Sequence, residues 1–143
     1  FVEIYLFIYF FHRVPSNLFQ NSSYIFSKSG RNSRDNWRVS TSQGGYLVSI
    51  ETEEDWQFIN DEIQKRGTSN TCRWYIGFWK RDGVWIWDSA KQLNISKWRD
   101  SKPDGNDACA EISKNGGLFN SISCCDKNAY ICEMLGAKIT FQP

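Results

Sequence analysis

Apolar residues recur at helical spacing in one segment and in short dense runs in several others. Between Thr52 and Gly67, Trp56, Ile59 and Ile63 fall at i, i+3 and i+7, which places them on one face of an α-helix. Thr52 is a natural N-cap, Glu53, Glu54 and Asp55 load the first turn with acid, and Lys65 and Arg66 close the helix before Gly67 stops it. The stripe is therefore assigned to the core. A shorter, weaker helix is predicted over Arg34 to Ser42, after a strand at Tyr24-Ile25-Phe26. Beyond Gly67 the apolar runs Tyr75–Trp79, Gly83–Trp87, Ala108–Ser113 and Ala129–Glu133 read as short strands separated by Gly, Asp, Asn and Ser. This succession is the one an α+β domain requires.

Two stretches stand outside that pattern. The segment from about Ser89 to Asp107 is polar and carries Pro103 and Gly105. A connection of this length in a compact domain is usually functional. At the other end, Phe1 to Phe11 is almost wholly apolar, is interrupted by Glu3 and lacks an initiating Met. It is shorter than the roughly 20 residues a bilayer span needs. It reads equally as the remnant of a signal peptide or anchor, or as a first strand or non-native sequence. Pro15 to Ser23 is polar and turn-rich, so residues 1–20 are set apart from a domain over 21–143.

Composition narrows the function. The 143 residues are one domain's worth, with 41% hydrophobic content and seven Trp to build an aromatic core. A formal net charge of +1 gives no global reason to expect nucleic acid as a partner, since that binding neutralises many phosphates. Five cysteines, two of them adjacent, point to an oxidising compartment and disulfides. Zinc is disfavoured, because no Cys-x-x-Cys occurs and the only histidine, His12, is far from every Cys.

The segment Gly117-Leu118-Phe119-Asn120-Ser121-Ile122-Ser123-Cys124-Cys125, followed by Tyr130-Ile131-Cys132-Glu133, is the most informative. Upstream, in order, stand Gly44-Gly45-Tyr46-Leu47-Val48-Ser49-Ile50, Trp74-Tyr75-Ile76-Gly77-Phe78, Trp85-Ile86-Trp87, Trp98 and Lys102-Pro103-Asp104. Together, over about residues 24 to 134, they resemble a C-type lectin-like domain. The resemblance implies an α+β fold of two helices flanking small antiparallel sheets, with a long loop that binds ligand. It also implies recognition of sugars or proteins outside cells, hence a secreted chain or the extracellular face of a parent membrane protein.

In that family a calcium ion contacts protein and sugar hydroxyls at once, and calcium needs about six to eight oxygen ligands. Carried over residue by residue, the positions are Lys102 and Asp104 around Pro103, Asp107 before Cys109, and Asn120 and Ser121 before Cys124. Asp104, Asp107 and Asn120 offer suitable oxygens, whereas Ser121 replaces the family's aspartate and Lys102 its Glu or Gln. An ammonium has no lone pair to donate. At about 4 Å from a divalent ion and an effective dielectric near 20, repulsion is roughly 8 kcal/mol. Lys102 is therefore expected to pair with Asp104 or Asp107 in place of calcium. The resemblance also implies a cis bond before Pro103. Taken alone, Ser101-Lys102-Pro103-Asp104 reads as a turn; Trp98 and Cys109 on either side favour the ligand loop. Phe119 and, less so, Trp98 are candidate sugar-facing aromatics.

The resemblance pairs Cys109 with Cys124 and leaves Cys132, whose usual partner lies in the first helix, without one, because residues 36–43 contain no cysteine. That helix is also about one turn short. The most economical completion pairs Cys72 with Cys125. Sequons at Asn21 and Asn94 fit a secreted glycoprotein. Two readings stand: carbohydrate binding with a degraded calcium site, or calcium-independent recognition of a protein ligand. An enzyme is not expected, since Asp104 and Asp107 form a carboxylate pair with no nucleophile, base and orienter set around it.

Overall fold

The computed structural model describes residues 16–19, 22–89 and 95–135. The elements run β1 (Ser16–Phe19), β2 (Ser22–Phe26), α1 (Ser33–Ser42), β3 (Tyr46–Leu47), α2 (Glu53–Arg66), β4 (Arg73–Arg81), β5 (Val84–Trp87), β6 (Cys109–Ser113), β7 (Phe119–Ile122) and β8 (Ala129–Leu135). The leader Phe1 to Phe11 and both sequon asparagines, Asn21 and Asn94, lie outside the described residues.

The predicted helix α2 forms with the expected ends. Thr52 Oγ1 accepts from the Asp55 amide at 3.1 Å while the Asp55 carboxylate accepts from the Thr52 amide at 3.2 Å, so two amides left over at the helix start are satisfied reciprocally. Ile59 and Ile63 are buried, and Trp56 packs beside them. Helix α1 is capped by Asn32, whose side chain accepts from the Asp35 amide at 2.9 Å.

The strands join in the order β1-β2-β8-β4-β6-β7, with β3 added to β8 and β5 to β4. One pair departs from the antiparallel expectation: β4 and β8 run parallel at Trp74–Ala129 and Tyr75–Tyr130. The chain between them passes through β5, β6 and β7, the long crossover that parallel neighbours need. Ser16–Phe19, placed by the sequence in a turn-rich boundary, is a strand paired with β2. Phe119–Ile122 is a further strand that the apolar pattern did not reveal.

Alternation along β4 builds two cores. Trp74, Ile76 and Phe78 face one side and pack with Ile59, Ile63, Trp87, Ile112 and Phe119. Phe78 stacks on Trp87 at 4.2 Å. Tyr75 faces the other side with Leu47, Cys109 and Ile122. Gly77 is required by a close crossing, since a Cβ there would sit 2.3 Å from the Leu47 carbonyl oxygen.

Cys109 is bridged to Cys124, tying β6 to the segment after β7. The Cys72–Cys125 pairing is not formed, and both are free thiols. The bridge holds Cys124 inward against β6, and Cys125, next in the turn, is left facing solvent. Cys132 is free and fully buried, with its Sγ in contact with the Ser40 hydroxyl of α1. Ser40 thus occupies the place from which a helix cysteine would bridge.

Glu133, next along β8, is also buried and accepts from Ser22 Oγ at 3.0 Å and the Ser49 amide at 3.2 Å. Burial holds its carboxyl above the ordinary value despite these donors. The folded state favours the protonated form, so this group's contribution to stability is complete below the ordinary value of 4.5. It is lost as pH climbs through the raised folded value. Glu133→Gln is expected to flatten the decline in stability above pH 4.5. Denaturant unfolding across pH checks this, and equal slopes for both proteins would refute it.

Candidate functional site

The long loop is anchored to β7 before it reaches the candidate ligand residues. Phe119 donates its amide to the Lys97 carbonyl at 2.7 Å, and Arg99 donates to the Phe119 carbonyl at 2.8 Å. These bonds clamp Trp98 beside β7, where its ring meets Trp85 at 4.9 Å and Phe78 at 5.4 Å. The loop then turns through Ser101, in the left-handed region at φ 68°, into a cis Lys102–Pro103 bond.

That turn brings three of the candidate residues together. Lys102 Nζ donates to Asp104 Oδ1 at 2.6 Å. Ser121 Oγ donates to the same oxygen at 3.1 Å and accepts from the Asp104 amide at 3.1 Å. The Lys102 hydrogen bond is the main cause, and Ser121 a lesser one, of an Asp104 carboxyl held below its ordinary range. The expected pairing of Lys102 with Asp104 is thus present.

The remaining positions are not gathered into the cluster. Asn120 and Ser121 are neighbours on one strand, so their side chains leave on opposite faces. Asn120 lies across from Glu111 in the β6–β7 register and donates Nδ2 to Glu111 Oε2 at 3.2 Å. Its Oδ1 is buried without a partner. Asp107 is half-buried, with no hydrogen-bond or ion-pair partner among the described residues. Phe119 is a correction: it is completely buried, facing Phe78, Trp87 and Trp98 edge-on, and reaches no ligand. The strand that anchors the loop sends Phe119 into the larger core and Ile122 into the smaller one.

As arranged, these residues do not fit a calcium ion. The Asp104 carboxylate is held by an ammonium, the Asn120 amide is turned to Glu111, and Ser121 brings a hydroxyl without charge. Among the described residues, no group of three or more His, Cys, Asp or Glu is placed to hold a metal.

The sequence reading missed Glu111. It is 3% exposed, accepts from Asn128 Nδ2 at 2.9 Å and lies 3.7 Å from the Arg73 guanidinium. Burial raises its carboxyl even so. It lines a polar hollow of 520 Å³ with Arg73, Asp126, Lys127 and Asn128. A charged residue on an otherwise apolar strand, Cys109-Ala110-Glu111-Ile112, was the available signal.

Residues 32–134 match the model of the lectin C-type domain. The galactose-specific lectin nattectin of Thalassophryne nattereri is 29% identical over 94 residues, 63% of this chain and 59% of its own. CD209 antigen-like protein D of Mus musculus is 31% identical over 121 residues, covering 80% of this chain and 48% of that protein. The chain thus spans about half the length of such relatives. Among solved structures, human lithostathine superposes with a TM-score of 0.78 at 21% identity, covering 85% of this chain and 97% of its own. A complex of SPL-1 with GlcNAc gives 0.76 at 22% identity, covering 85% and 93%. These likenesses carry the fold.

Proposed function

This chain belongs to the C-type lectin domain family, and from that premise we propose that it is an extracellular recognition domain that binds a glycan with little or no dependence on calcium. The observation that carries the proposal is the Lys102–Asp104–Ser121 cluster, in which an ammonium stands where the bound ion would need a donor. Lys102 donates hydrogen bonds, Asp104 accepts them, and a sugar hydroxyl does both, so saccharide recognition here needs no metal. Relatives support a glycan partner: one is named a galactose-specific lectin and a structural neighbour was solved with GlcNAc. The disulfide supports an oxidising, extracellular setting.

Protein recognition by the same surface is the second reading, favoured by the same ion pair. Catalysis is not part of the proposal: the Asp104 carboxylate is engaged by Lys102 and Ser121.

A glycan array probed in calcium and again in chelator, alongside calcium calorimetry, tests the proposal. Equal array signals in both buffers and no calcium heat up to about millimolar concentration are expected. Signals abolished by chelator would show a working calcium site. Silence in both buffers would leave the protein-binding reading.

A further inference from the structure

The domain carries a second concave site on the side of the sheet where α1 meets β4. Helical spacing puts Arg34 and Trp37 on one face of α1, at i and i+3, and strand spacing puts Trp79 and Arg81 on one face of β4, at i and i+2. These four, with Asp88 just after β5, line a pocket of 270 Å³. It is separate from the Lys102–Asp104–Ser121 cluster and shares no lining residue with it.

Three observations point to a ligand site. Two buried polar atoms on the lining residues have no partner, one a donor, Trp79 Nε1, and one an acceptor, Asp88 Oδ2. Such orphans are rare and costly unless something completes them. Next, Arg34 and Arg81 are both exposed and neither forms a salt bridge among the described residues; burial raises the Asp88 carboxyl, against which the Trp37 side chain, the Leu47 backbone and, least, Arg81 favour its charged form. Finally, Trp37 is among the few large apolar side chains exposed here, at 39%.

Each demand restricts the ligand. A ligand that both donates, to Asp88, and accepts, from Trp79, would complete the two orphans, and a sugar hydroxyl is such a group. Two indoles offer apolar faces for a saturated ring, and two guanidinium groups without a salt bridge suit an anionic substituent that they can hold bidentately. The volume lies just below the roughly 300 Å³ at which drug-sized pockets begin, so it suits one ring. We propose that this pocket binds a single acidic sugar residue, a hydroxylated ring bearing a carboxylate or sulfate, independently of the long loop and without a metal. The acid group lies toward Arg34 and Arg81, and a ring hydroxyl bridges Asp88 and Trp79.

The test is titration of the chain, in chelator, with glucuronic acid and with galactose 6-sulfate, using glucose and galactose as neutral counterparts. Indole N–H resonances and tryptophan fluorescence are followed. Acidic sugars are expected to shift the Trp79 indole signal, and neutral ones to bind about tenfold less tightly. Arg81→Gln should weaken the acidic probes about tenfold while leaving the unfolding temperature unchanged; Arg34→Gln, on an exposed helix face, serves if Arg81→Gln fails to fold. Trp79→Phe, which keeps a ring and removes the donor, should also weaken binding. Unmoved indole signals, equal affinity for neutral sugars, or indifference to both arginine variants would overturn the proposal. The shifts should survive Asp104→Asn. Array binding unchanged in that variant with the indole shifts retained would sink the loop reading alone, and array binding lost in it while the unchanged chain shows no indole shifts would sink this one alone.

Discussion

Ser40→Cys is expected to join Cys132 in a second disulfide and to raise the unfolding free energy by about 2 to 4 kcal/mol. The Ser40 hydroxyl already touches the Cys132 sulfur, and both side chains are fully buried, so no large movement separates the two partners. The closed loop would span 92 positions. In the chain-entropy account, a loop near 100 residues restricts the unfolded ensemble by about 4.7 kcal/mol, of which engineered bridges usually deliver only a fraction. Burial also raises the Cys132 thiol, which keeps it unreactive while the domain is folded. Denaturant unfolding with and without reductant measures the gain, which should vanish on reduction. Titration of the oxidised variant should find Cys72 and Cys125 as its free thiols. Reaction of Cys132 and the introduced residue as well would show that the two positions do not meet.

Lys102→Glu combined with Ser121→Asp is expected to create calcium affinity at about 0.1 to 1 mM, the range of extracellular modules. The double change removes the roughly 8 kcal/mol repulsion between ammonium and ion and adds two carboxylates beside Asp104. Lys102→Glu alone should contribute more than Ser121→Asp alone, because it relieves repulsion as well as adding a donor. It also frees Asp104, which Lys102 now holds at 2.6 Å. Asn120 must leave Glu111 to take part, which removes a hydrogen bond that now favours the charged form of Glu111. Calorimetry decides the matter. Absence of binding in the double variant would mean that Asp104, Asp107 and Asn120 do not share one site, and comparable binding in the unchanged chain would mean that Lys102 swings clear.

The helix α2 was legible because every device that builds it is local: the Thr52 cap, the acidic first turn, the apolar stripe and Gly67 follow one another without a break. The Cys109–Cys124 bridge and the Lys102–Asp104 contact were legible only through resemblance, since nothing local marks their partners. Strands β1 and β7 were not, because Ser16-Asn17-Leu18-Phe19 and Phe119-Asn120-Ser121-Ile122 are four residues long and half polar, and owe their form to the neighbours they pair with. Phe119 was misread because it stands beside the candidate ligand residues in the sequence, whereas its burial depends on the core that β7 joins. Parity suggested Cys72 with Cys125, yet parity carries no geometry. Ser40 gave no signal at all, as a helical serine is read as a solvent residue until the strand behind it is known.

The placing of β2 between β1 and β8 bears on how the domain would respond to tension. Ser16 lies opposite Ile25 at one end of β2, while Leu135 lies opposite Ser22 at the other. A pull applied between Ser16 and Leu135 therefore runs along the strands in opposing directions, as shear. The four residue pairs of β1 with β2 and the five of β2 with β8 would carry the load simultaneously instead of rupturing in succession. A recognition module loaded in this way would hold its ligand loop in register under a pull that would peel open a hairpin loaded at one end.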